Sequence, residues 1–221
     1  MIAKQLLTTS IVPLKTTETG ADALFLMDEN KISDLPVVDN AEYIGLISEG
    51  NIYNMSDPDL PIADQKLSLK NCYVNEYQHV FDVIKTMSSM KLTVLPVLDE
   101  KSHYIGSITV NNLLEYFSVI TAVNNPGSIV VLELNQNDYV LSQIAQIVES
   151  QDAKILNLYV TSDKDSTKME VTMKINKMEI QSLIQTFNRY NYIIKATYTE
   201  DENMYDDLRD RYNSLMNYLN I

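Results

Sequence analysis

Ser48 and Thr109 are the residues of this chain best placed to do chemistry. Each closes a short run that carries a glycine, Gly45-Leu46-Ile47-Ser48 and Gly106-Ser107-Ile108-Thr109, and each is followed three residues on by an asparagine, Asn51 and Asn112. A hydroxyl and a side-chain amide at that spacing serve a strand-to-helix junction in two ways. They cap the helix by accepting from its unpaired backbone N–H groups, and the N–H groups at such a helix start suit a phosphate. Neither motif contains Lys or Arg, and Glu49 stands between Ser48 and Asn51, so charge disfavours a triphosphate.

Other chemistries find little support. His79 and His103 are the only histidines, and no Ser-His-Asp or Cys-His arrangement is suggested around them. The single cysteine, Cys72, excludes an internal disulfide, and no CxxC, HExxH or paired-His spacing offers a metal site. None of the five glycines lies in a GxGxxG or P-loop pattern. The chain therefore reads as a non-enzyme with no catalytic residues, no metal and no covalent cofactor.

The two hydroxyl motifs belong to a larger repetition. Leu35-Pro36-Val37-Val38-Asp39 returns as Leu95-Pro96-Val97-Leu98-Asp99, and Tyr43-Ile44-Gly45 returns as Tyr104-Ile105-Gly106. Met27, Lys31, Ile32 and Ser33 likewise match Met87, Lys91, Leu92 and Thr93. Each copy reads as a helix followed by a hairpin: a helical stripe around Ala23–Met27 or Val80–Met90, then strands at Leu35–Val38 and Tyr43–Ile47, or Val94–Leu98 and Tyr104–Thr109. Asp57-Pro58-Asp59-Leu60-Pro61 reads as an extended connector between the copies, because its prolines discourage helix.

Asn124-Asn125-Pro126-Gly127 breaks the pattern, and a different domain begins after it. Strands are expected at Ser128–Leu134, Ile155–Val160, Met169–Ile175 and Tyr192–Tyr198. Helices are expected around Val140–Val148 and Ile180–Phe187, with Asp138 as a cap of the first. The order is βαββαβ, a ferredoxin-like pattern. A terminal amphipathic helix, with Met204, Leu208, Tyr212, Leu215, Met216 and Leu219 on one side, is expected over 201–221. The expected divisions are 1–60, 61–122, 123–200 and 201–221.

At 221 residues and 45% apolar, the chain has enough material for real cores. A net charge of −13 opposes binding to nucleic acid or an anionic membrane surface. With no leader pattern and no apolar stretch approaching the ~18 residues needed to span a bilayer, the expectation is a soluble cytoplasmic protein.

The paired units resemble the cystathionine β-synthase (CBS) domain family, whose tandem copies form one module. The resemblance covers roughly residues 1–122 and rests on the Leu-Pro-Val strand, the hydrophobic-Gly-hydrophobic strand and the hydroxyl beyond it, each present twice. Residues 128–198 look like an ACT-type domain by element order, and the combination resembles the acetoin-utilisation type of small regulatory proteins. The implied fold class is mixed α/β, of the α+β kind: a CBS-pair (Bateman) module, a ferredoxin-like domain and a C-terminal helix.

The resemblance also implies a ligand. In the family, Gly-x-x-Ser/Thr-x-x-Asp places the hydroxyl on a phosphate and the Asp on the ribose hydroxyls. Ser48 and Thr109 keep the hydroxyl, while Asn51 and Asn112 replace the Asp, which weakens ribose binding by ~1 kcal/mol without abolishing it. The implied ligand is an adenosine compound, of AMP, ADP, ATP or S-adenosylmethionine type, with the triphosphate least favoured. Its base would lie against Ile11, Val12 and Pro13 or against Cys72, Tyr73 and Val74. Core packing for those residues, and capping alone for Ser48, Asn51, Thr109 and Asn112, are the competing readings.

The resemblance implies a homodimer; the charge speaks against a nucleic-acid or membrane partner, and any downstream protein is unidentified. Two further readings stay open. One is a ligand-free assembly module. The other is an amino-acid sensor, disfavoured because the loop Asn135-Gln136-Asn137-Asp138-Tyr139 lacks the glycine that lets backbone approach such a ligand.

Overall fold

A computed structural model describes residues 1–65, 69–162 and 166–199. The terminal helix expected over 201–221 lies outside them. The chain divides into two compact units, Met1–Phe117 and a second from Ser118 onward.

In the first unit the repetition becomes a repeated structure. Helix α1 (Gly20–Asn30) starts at Thr19, whose hydroxyl accepts from the Asp22 N–H at 3.1 Å while Asp22 accepts from the Thr19 N–H at 2.9 Å. This reciprocal box satisfies two of the donors that every helix start leaves unpaired. Helix α1 stops at Lys31 in the left-handed conformation, φ 54°, and its counterpart α3 (Val80–Met90) stops at Lys91, φ 53°. After each helix comes a hairpin, β1 (Asp34–Asp39) with β2 (Glu42–Ser48), and β4 (Val94–Leu98) with β5 (Tyr104–Thr109). Both hairpins carry a register shift at the same place, Val37/Val38 and Val97/Leu98. Asn40 and Ala41 form the first turn with positive φ at both positions, the geometry that matches strand twist in a two-residue loop. Short helix α2 (Glu49–Tyr53) follows β2, and α4 (Val110–Ile120) follows β5.

Residues before each helix also pair in parallel with its hairpin, as a single bridge in the first repeat and a two-residue strand in the second. Leu14 lies beside Val37, and β3 (Val74–Asn75) lies beside Val97 and Leu98. Further upstream the repeats exchange chain. Thr8 pairs with Ser107 of β5, and Lys70 pairs with Leu46 of β2. This crossing explains the glycines: a Cβ on Gly45 would stand 2.6 Å from the Leu69 Cβ, and one on Gly106 would stand 3.1 Å from a Leu7 methyl and 3.3 Å from the Thr8 carbonyl. The cores interleave in the same way. Leu46 packs with Val80, Val83, Leu95 and Ile108, while Val94 packs with Leu14, Met27, Leu35 and Ile47. Neither copy buries its apolar face without residues of the other.

The connector at 57–61 is folded more tightly than expected. Leu60 N–H donates to the Asp57 carbonyl, Asp59 N–H to the Asp57 carboxylate at 3.0 Å, and Pro61 pairs with Thr19. An aspartate accepting from the amide two residues on favours a turn over an extended strand.

The second unit has the ferredoxin-like order. Strands β6 (Ser128–Asn135), β7 (Ile155–Ser162), β8 (Lys168–Ile175) and β9 (Ile193–Thr199) form one antiparallel sheet in the order β7-β8-β6-β9. Helices α5 (Leu141–Ser150) and α6 (Gln181–Arg189) contribute Ile144, Ile147, Val148, Leu183 and Phe187 to a core with Val130, Leu132, Val171, Met173 and Ile175. Alternation along β8 sends those apolar residues to the helix side and Lys168, Glu170 and Thr172 to the other. Asp138 does not cap α5. It lies in a 3-10 turn, Gln136–Asp138, where its carboxylate accepts from Asn135, and α5 begins after Val140 with no side-chain cap.

No helix among the described residues is long and apolar enough to cross a membrane.

Candidate functional site

The strand-to-helix junctions at Ser48 and Thr109 are built alike. Ser48 N–H and Ser48 Oγ both donate to Asn51 Oδ1, at 2.9 and 2.8 Å, and the Asn51 N–H donates back to Ser48 Oγ at 3.3 Å. Thr109 N–H and Oγ1 donate to Asn112 Oδ1 at 3.0 and 2.8 Å, and the Asn112 N–H returns the bond at 3.2 Å. Both asparagines thus complete capping boxes in the role more often taken by Glu or Gln. The arrangement spends the amide oxygen on the cap. With the oxygen so used, the amide Nδ2 of each half-buried asparagine is a donor at the position where an aspartate would have a second acceptor.

Electrostatics distinguish the two junctions. Ser48 lies directly across the hairpin from Asp34, a carboxylate only 4% exposed, and Glu49 occupies the first turn of α2. Lys70 reaches Asp34 Oδ1 at 4.0 Å, bringing a cation beside the first junction although none lies within the motif. Thr109 lies across from Val94, and the first turn of α4 carries no acidic residue. Helix α4 is 11 residues long against five for α2. An anion therefore meets less repulsion and a fuller helix dipole at Thr109.

The apolar segments expected to hold a base are differently disposed. Ile11 packs into the core of the first repeat, and Cys72 and Val74 into that of the second. All three are buried, at 6, 5 and 1% exposure. Pro13 is half-buried, while Val12 and Tyr73 are exposed. The Cys72 sulfur lies 3.1 Å from the Met90 sulfur, and burial pushes its thiol pKa up. Tyr43 is held alongside by a 2.8 Å bond from its hydroxyl to the Cys72 carbonyl, and desolvation raises its pKa well above the usual range of a phenol.

Three residues that matter here escaped attention as site residues. Ser33, Asp34 and Thr93 meet between the repeats: Ser33 N–H donates to Thr93 Oγ1 at 2.9 Å, and Thr93 donates from both N–H and Oγ1 to Asp34 Oδ2 at 3.2 Å. The equivalence of Ser33 and Thr93 was visible in the repetition, but their contact depends on how the repeats fold together.

His79 and His103 are separate and occupied. His79 Nδ1 accepts from the Phe81 N–H at the start of α3, and His103 pairs with Asp99 in the β4–β5 turn. In the second unit, a cavity of about 380 Å³ lies beside the loop and is lined by Asn135, Gln136, Asn137, Asp138 and Thr167. No group of three or more His, Cys, Asp or Glu among the described residues is arranged to hold a metal ion.

Residues 3–56 and 66–119 each match the CBS domain family. Among curated proteins, the chain is 23% identical over 114 residues to inosine-5′-monophosphate dehydrogenase of Methanocaldococcus jannaschii, a match covering 51% of this chain and 23% of the dehydrogenase. The chain thus spans about a quarter of that relative's length. It is 29% identical over 130 residues to a CBS domain-containing protein of Dictyostelium discoideum, covering 52% of this chain and 90% of the relative. Among solved structures, a CBS domain pair/ACT domain protein from Thermotoga maritima is 20% identical and matches 53% of this chain and 96% of its own, with a TM-score of 0.48. CBSX2, solved in complex with AMP, is 21% identical over 54% of this chain and 97% of its own, with a TM-score of 0.46.

Proposed function

Since the first half of the chain belongs to the CBS domain family as a tandem pair, we propose that the protein is a non-enzymatic regulatory sensor whose CBS pair binds an adenosine-containing ligand. The observation that carries this reading is the doubled box: at Ser48/Asn51 and Thr109/Asn112, a hydroxyl, a helix start and a side-chain amide converge twice in the same geometry.

Thr109 and Asn112 form the preferred site. The start of α4 offers its N–H groups to a phosphate, and Asn112 Nδ2 donates to a phosphate or a ribose oxygen. Pro13 with Val12, or Tyr73, offers the exposed apolar surface for the base. A monophosphate fits this environment better than a triphosphate, because no lysine or arginine sits in either box and Asp34 and Glu49 crowd the first.

Assembly as a homodimer is part of the proposal. Phe25 on α1, Phe81 on α3 and Leu114 on α4 are each about two-thirds exposed, at 67, 66 and 68%, and large apolar residues left in this way suit a protein interface. A second reading, amino-acid binding by an ACT-like second unit, draws on the cavity beside Asn135–Asp138.

The test is thermal unfolding of the full chain with AMP, ADP, ATP, S-adenosylmethionine and a panel of amino acids. A ligand at 100 times its dissociation constant stabilises the fold by about 2.7 kcal/mol. A shift with AMP that disappears in Asn112→Ala supports the sensor. A shift with an amino acid alone moves the assignment to the second unit, and no shift at all rejects both in favour of a ligand-free assembly module.

A further inference from the structure

The two capping boxes are joined by one chain of hydrogen bonds. The first helical N–H of α2, that of Glu49, donates to the Ser33 carbonyl at 3.0 Å, and the first helical N–H of α4, that of Val110, donates to the Thr93 carbonyl at 3.2 Å. Ser33 and Thr93 then bond to each other through Ser33 N–H and Thr93 Oγ1 at 2.9 Å, with their hydroxyls 3.3 Å apart. Thr93 Oγ1, in the second repeat, is therefore both an acceptor from the first repeat and a donor to it, since its own proton goes to Asp34 Oδ2. Asp34 fixes that node from both sides, accepting from Thr93 and, at 3.4 Å, from the Ser33 hydroxyl. The second repeat has Val94 in the place of Asp34, so a single buried carboxylate anchors a doubled arrangement.

We infer that Thr93, held by Asp34, is a positioning residue that couples the two boxes, so that a change at one helix start alters the geometry and ligand affinity of the other. The ligand half of this statement rests on the reading of the boxes as an adenosine site. A helix start that shifts must lengthen its bond to Ser33 or Thr93 or carry that residue with it. Because the Ser33–Thr93 bond is direct and Asp34 is buried, the shift passes to the opposite helix. Hydrogen-bonded networks with discrete arrangements carry coupling in this manner, and the effect is reciprocal between the sites.

The experiment follows backbone amide resonances of the uniformly labelled full chain in two arms. Without ligand, Ser48→Ala removes the first box. The Asn112 amide signal should move in that variant, should stay in place when Thr93→Val is added, and should move again when Thr93→Ser restores a hydroxyl. An Asn112 signal that never responds to Ser48→Ala, or responds equally with Val at position 93, overturns the link.

In the second arm AMP is the probe. Filling the Thr109 box should change the affinity of the Ser48 box by about fivefold or more, the lower end of ordinary site-to-site coupling, and Thr93→Val should render the sites independent. If AMP moves neither box while the ligand-free arm shows the coupled pattern, the ligand reading fails and the link stands. If AMP moves both boxes and Thr93→Val changes nothing, the link fails and the site stands.

Discussion

Asp34 lies directly across the β1–β2 hairpin from Ser48, whereas Val94 lies across the equivalent hairpin from Thr109. This difference sets a carboxylate opposite one junction and an apolar side chain opposite the other. Glu49 in the first turn of α2 deepens the contrast. Replacing it tests the charge argument without disturbing the buried node. Glu49→Gln should improve AMP binding at the Ser48 box by about two- to fivefold, the effect of a charge of about 0.3–1 kcal/mol at a helix start. Any effect at the Thr109 box, reached only through the Ser33–Thr93 link, should be smaller. Site-resolved NMR titration reads both.

Asn112 has only its amide Nδ2 left to offer a ligand, because its oxygen is committed to the Thr109 box. Asn112→Asp keeps the box and presents a charged acceptor to ribose hydroxyls, so adenosine affinity should rise about fivefold, from ~1 kcal/mol of charge-assisted bonding. Asn112→Ala should lose the box and cost about 0.5–2 kcal/mol of stability through the cap alone. Titration calorimetry and urea unfolding separate the two effects.

Gly106 has φ of +147°, and the crossing segment at Leu7 and Thr8 packs against it. Gly106→Ala should destabilise the first unit by about 1–3 kcal/mol through overpacking and backbone strain. Gly50, where an added Cβ would meet nothing nearer than Ser48 Oγ at 3.8 Å, is the control. Gly50→Ala should be neutral or slightly stabilising, because it lies within α2. Denaturant midpoints decide the comparison.

Acid should loosen the protein through its hydrogen-bonded turns and caps. The Asp99 carboxyl is held below the usual range by the His103 backbone N–H, with the Lys101 N–H assisting, and that of Asp22 by the N–H and hydroxyl of Thr19. Their folded pKa values lie below the unfolded ones, so the unfolded chain binds more protons as pH falls below about 4. The contribution is thus complete above that range and is lost as pH drops through the folded values. Asp99→Asn should flatten the decline between about pH 5 and 3 relative to wild type, as followed by urea midpoints.

Much of this architecture was legible in the sequence because the repeat repeats its physics. Leu35-Pro36-Val37 and Leu95-Pro96-Val97 became matching buried strands, and Thr19, Ser48 and Thr109 became helix caps. Alternation at Met169–Ile175 announced a half-buried strand in the second unit.

What the sequence left hidden depends on contacts between distant segments. Nothing local in Gly45 or Gly106 reveals that chain from the opposite repeat crosses there. The meeting of Ser33, Asp34, Lys70 and Thr93 arises from that same exchange. Local rules misjudged the 57–61 connector and Asp138 because side chains that favour turns and caps were bonded to nearer groups than expected. Ile11, Cys72 and Val74 are apolar whether they fill a core or face a base, so residue type alone did not reveal how deeply they are buried.

The most direct test of the account is titration calorimetry of AMP into the 221-residue chain and its Asn112→Ala variant at low salt. The account predicts saturable binding to the wild type and a loss of at least about tenfold in the variant, equivalent to 1.4 kcal/mol. Absence of heat at millimolar AMP, confirmed by an unchanged unfolding temperature, or binding that Asn112→Ala leaves intact, would contradict it.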